Sequence, residues 1–312
     1  MGLDLLDNPI RVTWDLYAGT AMANSDARTV LQRLLDAQVF FVTLEQTPIL
    51  HSECESILSQ LSEQGIQILL LSDGSAAELQ NLSILSGQSL AVLLNLQPFL
   101  HQGAPDFDRL RKVLTSMRDS GLNPGFSMTP LRSNIDALVP LLGFAGEMEV
   151  PRFKLPNVRI DANFQQVGQE QILRPDDLEN LRQNLPDLTS LVGNIDLEIH
   201  DLFLWELLTP GSSKSRSEYG GCQAANSLAH INADATVLPC VSWPESLGSL
   251  LDSSFAQIWA SSDCQRIRRS IAQKPTGCVD CRDYQLCYGG CRGLSGVLDI
   301  DNGLDPMCSG PR

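Results

Sequence analysis

Basic residues are scarce: 22 Lys and Arg stand against 37 Asp and Glu in 312 residues, a net charge of -15. A surface so acidic repels phosphate backbones and anionic lipid headgroups, which argues against nucleic acid as a partner. Long apolar runs are missing as well. Nowhere do 18 uncharged apolar residues follow one another, so no membrane span is expected. The stretch Met1 to Ile10 carries charge early and has no apolar h-region, and the expectation is a soluble, cytoplasmic protein. Cysteine is almost absent from the first 221 residues, where Cys54 stands alone. There is no internal repeat and no low-complexity tract.

The other eight cysteines lie between Cys222 and Cys308 and mark a separate module. In a reducing cytoplasm such a group is better explained by metal than by disulfides. Length allows one large domain with an appendage, or two domains. The polar stretch Pro210-Gly211-Ser212-Ser213-Lys214-Ser215 reads as the boundary, giving a barrel-like domain over 1–210 and a cysteine domain over 211–312.

The first two-thirds alternate short apolar runs with amphipathic stretches, the pattern of parallel strands joined by crossover helices. Strands are expected at Ile10–Trp14, Val39–Leu44, Ile66–Leu71, Leu90–Leu94 and near Gly125–Met128, the third and fourth as continuous apolar runs buried on two sides. A helix follows each. The first is expected behind a cap at Ser25, with Ala27, Val30, Leu31, Leu34 and Leu35 on its buried face; the second behind Ser52, with Cys54, Ile57, Leu58 and Leu61 inward. Phe107, Leu110, Val113, Leu114 and Met117 define another, and Ile135, Leu138, Val139 and Leu142 the next. Arg152–Ile160 and Asp196–His200 add strands around a helix starting near Pro175-Asp176, with Leu178, Leu181 and Leu185. The fold class is α/β, a partial (β/α) barrel followed by a cysteine-rich domain.

The dense cysteine run is Cys278-x2-Cys281-x5-Cys287-x3-Cys291, with Cys308 after sixteen further residues and Cys222 and Cys240 upstream. A two-residue gap lets successive thiolates reach neighbouring irons of one cuboidal cluster, and Gly289-Gly290 gives the last gap its backbone freedom. Seven cysteines with almost no histidine nearby exceed one tetrahedral zinc site, so two sites are needed.

This framework resembles the SPASM domain found at the carboxyl end of many radical S-adenosylmethionine enzymes that modify peptides. The resemblance covers about the last 90 residues. After Cys222 come twelve residues, Ala235 where the pattern has glycine, four residues and Cys240, then the dense run and Cys308. Val237-Leu238-Pro239-Cys240, Leu247-Gly248-Ser249-Leu250, Ile258-Trp259 and Cys287-Tyr288-Gly289-Gly290-Cys291-Arg292 match as well. The resemblance implies two 4Fe-4S clusters: an outer one on Cys278, Cys281, Cys287 and Cys308, and an inner one on Cys222, Cys240 and Cys291. Leu228 stands where some members carry a fourth inner cysteine. Cys264 is a substitute in principle, but its helical face with Ile267 and Ile271 favours burial.

The same family carries C-x3-C-x2-C after its first strand and Gly-Gly-Glu-Pro after its second. Here Trp14 to Asn24 contains no cysteine, and of Glu45-Gln46-Thr47-Pro48 only the proline matches. The resulting expectation is a degenerate barrel without catalytic residues that takes no S-adenosylmethionine. The chain would then be a non-catalytic subunit in ribosomal peptide modification, serving electron transfer or substrate holding. It would form a heterodimer with a radical SAM enzyme, alongside a PqqD-like chaperone and a precursor peptide, as in GeoRSP-type systems. Two alternatives stand beside it: an independent redox enzyme using an open inner cluster, and a zinc-stabilised interaction protein. His200, His230 and Asp234 lie near the module, where a surface or supporting role is favoured. Arg266, Arg268, Arg269 and Lys274 read as a solvated helix face.

Overall fold

The computed structural model describes residues 5–17, 19–85, 87–161, 164, 168–185, 193–209, 220–300 and 302–311. The strands are β1 (Arg11–Asp15), β2 (Phe41–Glu45), β3 (Gln67–Ser72), β4 (Leu90–Asn95), β5 (Gly125–Ser127), β6 (Arg152–Leu155), β7 (Asp196–Ile199), β8 (Leu228–Ile231), β9 (Thr236–Leu238) and β10 (Gly248–Ser249). They form one sheet in the order β10-β9-β8-β1-β2-β3-β4-β5-β6-β7. From β8 to β7 every neighbouring pair is parallel, while β9 and β10 run antiparallel.

The helices are α1 (Asn24–Asp36), α2 (Cys54–Glu63), α3 (Ala76–Gln80), α4 (Phe107–Asp119), α5 (Leu138–Glu147), α6 (Pro175–Asn184), α7 (Leu202–Leu208), α8 (Phe255–Trp259), α9 (Ser262–Ala272), α10 (Tyr284–Cys287) and α11 (Arg292–Val297). Each of the first five strands is followed by a helix, the βα alternation that the apolar spacing predicts. Helix α1 buries Ala27, Val30, Leu31 and Leu34, and α2 buries Cys54, Ile57, Leu58 and Leu61. Their predicted caps are not used. The cap of α1 is Ala23, one residue before the helix, and the Ser25 hydroxyl turns to the Asp26 carboxylate instead. The cap of α2 is Glu53, and Ser52 donates to the Asn24 side chain. Hydroxyls that had a nearer partner did not reach back to the helix ends.

A second departure matters more for function. Strands β2 and β3 are fully buried on one side only, because their alternate side chains, Thr43, Glu45, Leu69 and Leu71, face an open interior. Ile68 and Leu70 of β3, Val42 and Leu44 of β2 and Leu94 of β4 pack under the helices, together with Trp14, Phe126 and Phe153. Thr43, Glu45, Leu69, Leu71, Leu93, Asn95, Ser127 and Lys154 point the other way and line a cavity. A closed eight-stranded barrel fills that space with its own side chains; this partial barrel leaves it vacant.

The strand expected over Arg152–Ile160 stops at Leu155, since Pro156 cannot continue the ladder. Residues 157–160 turn instead toward the cysteine module. That module is not an appendage on a stalk. Its strand β8 lies against β1, with Arg11 opposite Leu228 and Trp14 opposite Ile231. The boundary read at Pro210 to Ser215 falls outside the described residues. No helix among the described residues is long and apolar enough to cross a membrane.

Candidate functional site

Two arrangements stand out, a pair of thiol groups and a cavity with an apolar floor and polar rim that reaches one of them. Cys278, Cys281, Cys287 and Cys308 line one cleft together with Gly277, Gly289 and Asp305. Burial pushes the Cys278 thiol up to about 11, helped by the charges of Cys287, Cys308 and Cys281. Cys222, Cys240 and Cys291 form the second group. Cys240 is pushed up to about 12 by burial and then by Cys222, and Cys291 is raised well above the usual thiol range, by burial first and then by Cys222, Asp305 and Cys240. Thiols held this way stay protonated on their own and ionise when a metal centre takes the proton's place.

The backbone between the groups is shaped for the purpose. Gly289 and Gly290 have φ of +87° and +67°, and a Cβ on Gly290 would sit 2.4 Å from an Asp305 carboxylate oxygen. That carboxylate accepts from the Cys291 N–H at 2.6 Å and the Met307 N–H at 2.8 Å, so one buried side chain ties both thiol groups together. The donor set, seven free thiols in two groups, fits iron-sulfur clusters, which spread their thiolates over separate irons. No group of three or more His, Cys, Asp or Glu among the described residues has the geometry of a single-ion site. Cys264 does not join either set: it is buried in α9, 3.5 Å from the Ala225 carbonyl. Cys54 is a core residue whose thiol burial raises to about 12. Leu228 sits in β8 opposite Arg11.

The turn that the family pattern builds with glycine is present here without it. Ala235 adopts φ +65° between β8 and β9. The segment after β2 behaves alike, with Gln46 at φ +58° and Thr47 at +53°. In both places the backbone keeps a left-handed path that glycine accepts more readily.

The cavity of about 480 Å³ lies at the carboxyl ends of the parallel strands. This is where open α/β sheets and βα barrels place their ligands. Its floor is Leu69, Leu71 and Leu93, and its rim is rich in carboxamides: Gln46, Asn95, Gln97, Asn157 and Gln171. A second cavity of about 790 Å³ lies beside it over the end of β1. Arg159 borders both. Its guanidinium pairs with Asp15 at 2.6 Å and also with Glu45, and approaches His230 Nε2 at 3.1 Å. Burial opposes the charge on Arg159, but Glu45 and Asp15 outweigh it and the guanidinium is held more firmly protonated. His230 is therefore no surface residue, being 1% exposed and bonded to Asn232. Asp234 is exposed and caps its own turn, and His200 is exposed. Nor is the basic group one solvated face. Arg268 is buried, donating to the carbonyls of Ala225 and Leu6, and Arg266 pairs with Glu245. Sequence reasoning passed over Asp15, Asn157 and Arg159, whose partners lie 71 to 144 residues away.

Residues 222–282 match the SPASM iron-sulfur cluster-binding domain. That match covers the first part of the cysteine module, and the fold of the chain as a whole is shared with the solved structures below. It is 22% identical over 301 residues to the PqqA peptide cyclase of Granulibacter bethesdensis, covering 93% of this chain and 72% of that one. Among solved structures, Streptococcus suis SuiB bound to S-adenosylmethionine superposes with a TM-score of 0.70 at 16% identity, over 98% of this chain and 78% of SuiB. The anSMEcpe structure with bound AdoMet and a peptide gives 0.68 at 15% identity, over 96% and 93%. These relatives overturn three expectations: that the chain is non-catalytic, that it is more an accessory subunit than an enzyme, and that S-adenosylmethionine is excluded. The expectation rested on the absence of the three-cysteine run and of Gly-Gly-Glu-Pro, and neither absence bears on the strand-end cavity, which the fold retains. The residues at the end of β1 do not fit a three-thiolate cluster, since they offer carboxylate, imidazole and guanidinium, and no step is assigned to one.

Proposed function

We propose that this SPASM domain protein is a peptide-modifying enzyme whose peptide enters the cavity at the strand ends, beside the inner cysteine group. The observation that carries this is Asn157, which lines the cavity and also donates to Cys291 Sγ at 3.6 Å. Substrate and inner cluster site share a wall. Carboxamides on the rim offer both a donor and an acceptor, as a peptide main chain requires, and the leucine floor accepts an apolar side chain. The two cavities, about 480 and 790 Å³, have room for a cosubstrate next to a peptide turn. S-adenosylmethionine, bound in the solved relatives, is the first cosubstrate to try.

The ligand sets follow the thiol groups: Cys278, Cys281, Cys287 and Cys308 for the outer 4Fe-4S cluster, and Cys222, Cys240 and Cys291 for the inner. When bound, the clusters supply electron transfer to or from the cavity. Such thiol-held centres suit a reducing, cytoplasmic setting. A second radical enzyme or a peptide chaperone as partner is tested by co-purification on a tag carried by this chain.

The test is anaerobic reconstitution followed by incubation with S-adenosylmethionine, reductant and a panel of synthetic precursor peptides. About eight irons per chain and a mass change in the peptide are expected. Stoichiometric zinc with no iron would overturn the cluster assignment. A peptide left unmodified and unbound by the loaded protein would overturn the enzyme reading.

A further inference from the structure

Past Pro156 the chain makes four successive residues that face two ways. Asn157 Nδ2 reaches Cys291 Sγ at 3.6 Å. The Val158 carbonyl accepts from Ser242 Oγ at 2.6 Å, and the Ile160 N–H donates to the Val241 carbonyl at 2.9 Å, both just beyond Cys240. Arg159 is locked to the ends of β1 and β2 by Asp15 and Glu45. Val158 and Ile160 pack with Cys291 and Leu294 in a small apolar cluster of their own. The segment is thus fixed to the barrel mouth on one side and to two of the three inner cysteines on the other. Of its four residues, Asn157 alone sends a polar side chain to a sulfur.

An N–H donated to a cluster thiolate draws charge off the sulfur and favours the reduced, more negative state of the centre, which raises its reduction potential. We infer that Asn157 is a positioning residue through which the wall of the peptide cavity sets the reduction potential of the inner cluster. The inference rests on the cluster reading above and deepens it. It makes the inner site responsive to the cavity, because the same amide that holds Cys291 is within reach of an occupant. Val158 and Ile160 hold the loop, so a change confined to the Asn157 side chain leaves the backbone path in place.

The full chain, reconstituted anaerobically, is titrated electrochemically and followed by electron paramagnetic resonance, with iron counted in each sample. Asn157→Leu keeps the volume and removes the donor; Asn157→Asp removes it and adds a negative charge. The expected result is an inner midpoint that moves negative in the first variant and further negative in the second. The outer midpoint and iron content should stay at the wild-type values. Unchanged inner midpoints in both variants, or equal movement of both centres, would overturn the inference. A wild-type chain showing four irons and one signal would remove the inner cluster itself, and the inference with it.

Discussion

The barrel and the cysteine module share one sheet but are held by different forces. The barrel is built from long elements, such as the thirteen-residue helices α1 and α4, and buries continuous rows of leucine, isoleucine, valine and phenylalanine. In the module β9 has three residues, β10 two and α10 four. Its turns rely on left-handed backbone at Gly289, Gly290 and Gly303. The stretch from Thr276 to Cys308 adds little apolar burial of its own, whereas Phe255, Ile258, Trp259, Ile267 and Ile271 of the module join the barrel's core. The barrel is ordered by its own core and the module's helices share in it, which leaves the turns from Cys278 to Cys308 as the part that a bound cluster would complete.

The largest expected effect lies in the module. Cys281→Ala should lower iron from about eight to about four per chain and open the segment after Pro275 to proteolysis, while the barrel keeps its far-ultraviolet signal. Retention of full iron would break the contrast between the two regions. In the barrel the matching change is Phe126→Ala. Phe126 is fully buried beside Phe144 and Phe153, and its loss should cost about 3–5 kcal/mol in denaturant unfolding with no change in iron per folded chain.

Arg159→Ala probes the seam between them. It leaves the Asp15 carboxylate buried without its cation, an expected loss of about 3 kcal/mol together with weakened ligand binding in both cavities. A smaller effect concerns Asp201, which caps α7 near the outer cleft. Burial, reinforced by Asp305, pushes its carboxyl up to about 8. The folded chain then binds a proton that the unfolded chain has already lost, so stability should fall as pH rises from about 4 toward 8. Asp201→Asn, which still caps, should flatten that slope in thermal melts. The smallest is Thr47→Gly, which should gain about 0.5–1 kcal/mol by relieving a β-branched residue at positive φ.

Much of this was legible from spacing. The barrel's strands and helices announced themselves through apolar periodicity, because burial of one helix face is a local pattern. The division of the cysteines into two groups came from the resemblance, and the fold lines one cleft with Cys278, Cys281, Cys287 and Cys308. The cavity was not legible. Leu69, Leu71 and Leu93 read as core, since nothing in a run of leucines says that one side of a strand faces a space left unfilled. Nor was the Asp15, Glu45, Arg159 and His230 cluster, whose members meet only through strand order. Reading function from the missing cysteines after β1 failed for a related reason, as an absent motif says nothing of what the remaining fold retains.

The pairing of β8 with β1 has a consequence for how the molecule comes to exist. During synthesis β1 gains β2 as a neighbour soon after it is made, yet its second neighbour is made only after some 210 further residues. Throughout that interval one flank of the first strand has unsatisfied hydrogen-bonding groups, a hazard for a chain still in synthesis. The strand that closes the flank leads from Cys222 toward Cys240. The segment that covers that edge therefore also carries two of the three inner thiols, while Cys291 follows some 50 residues later.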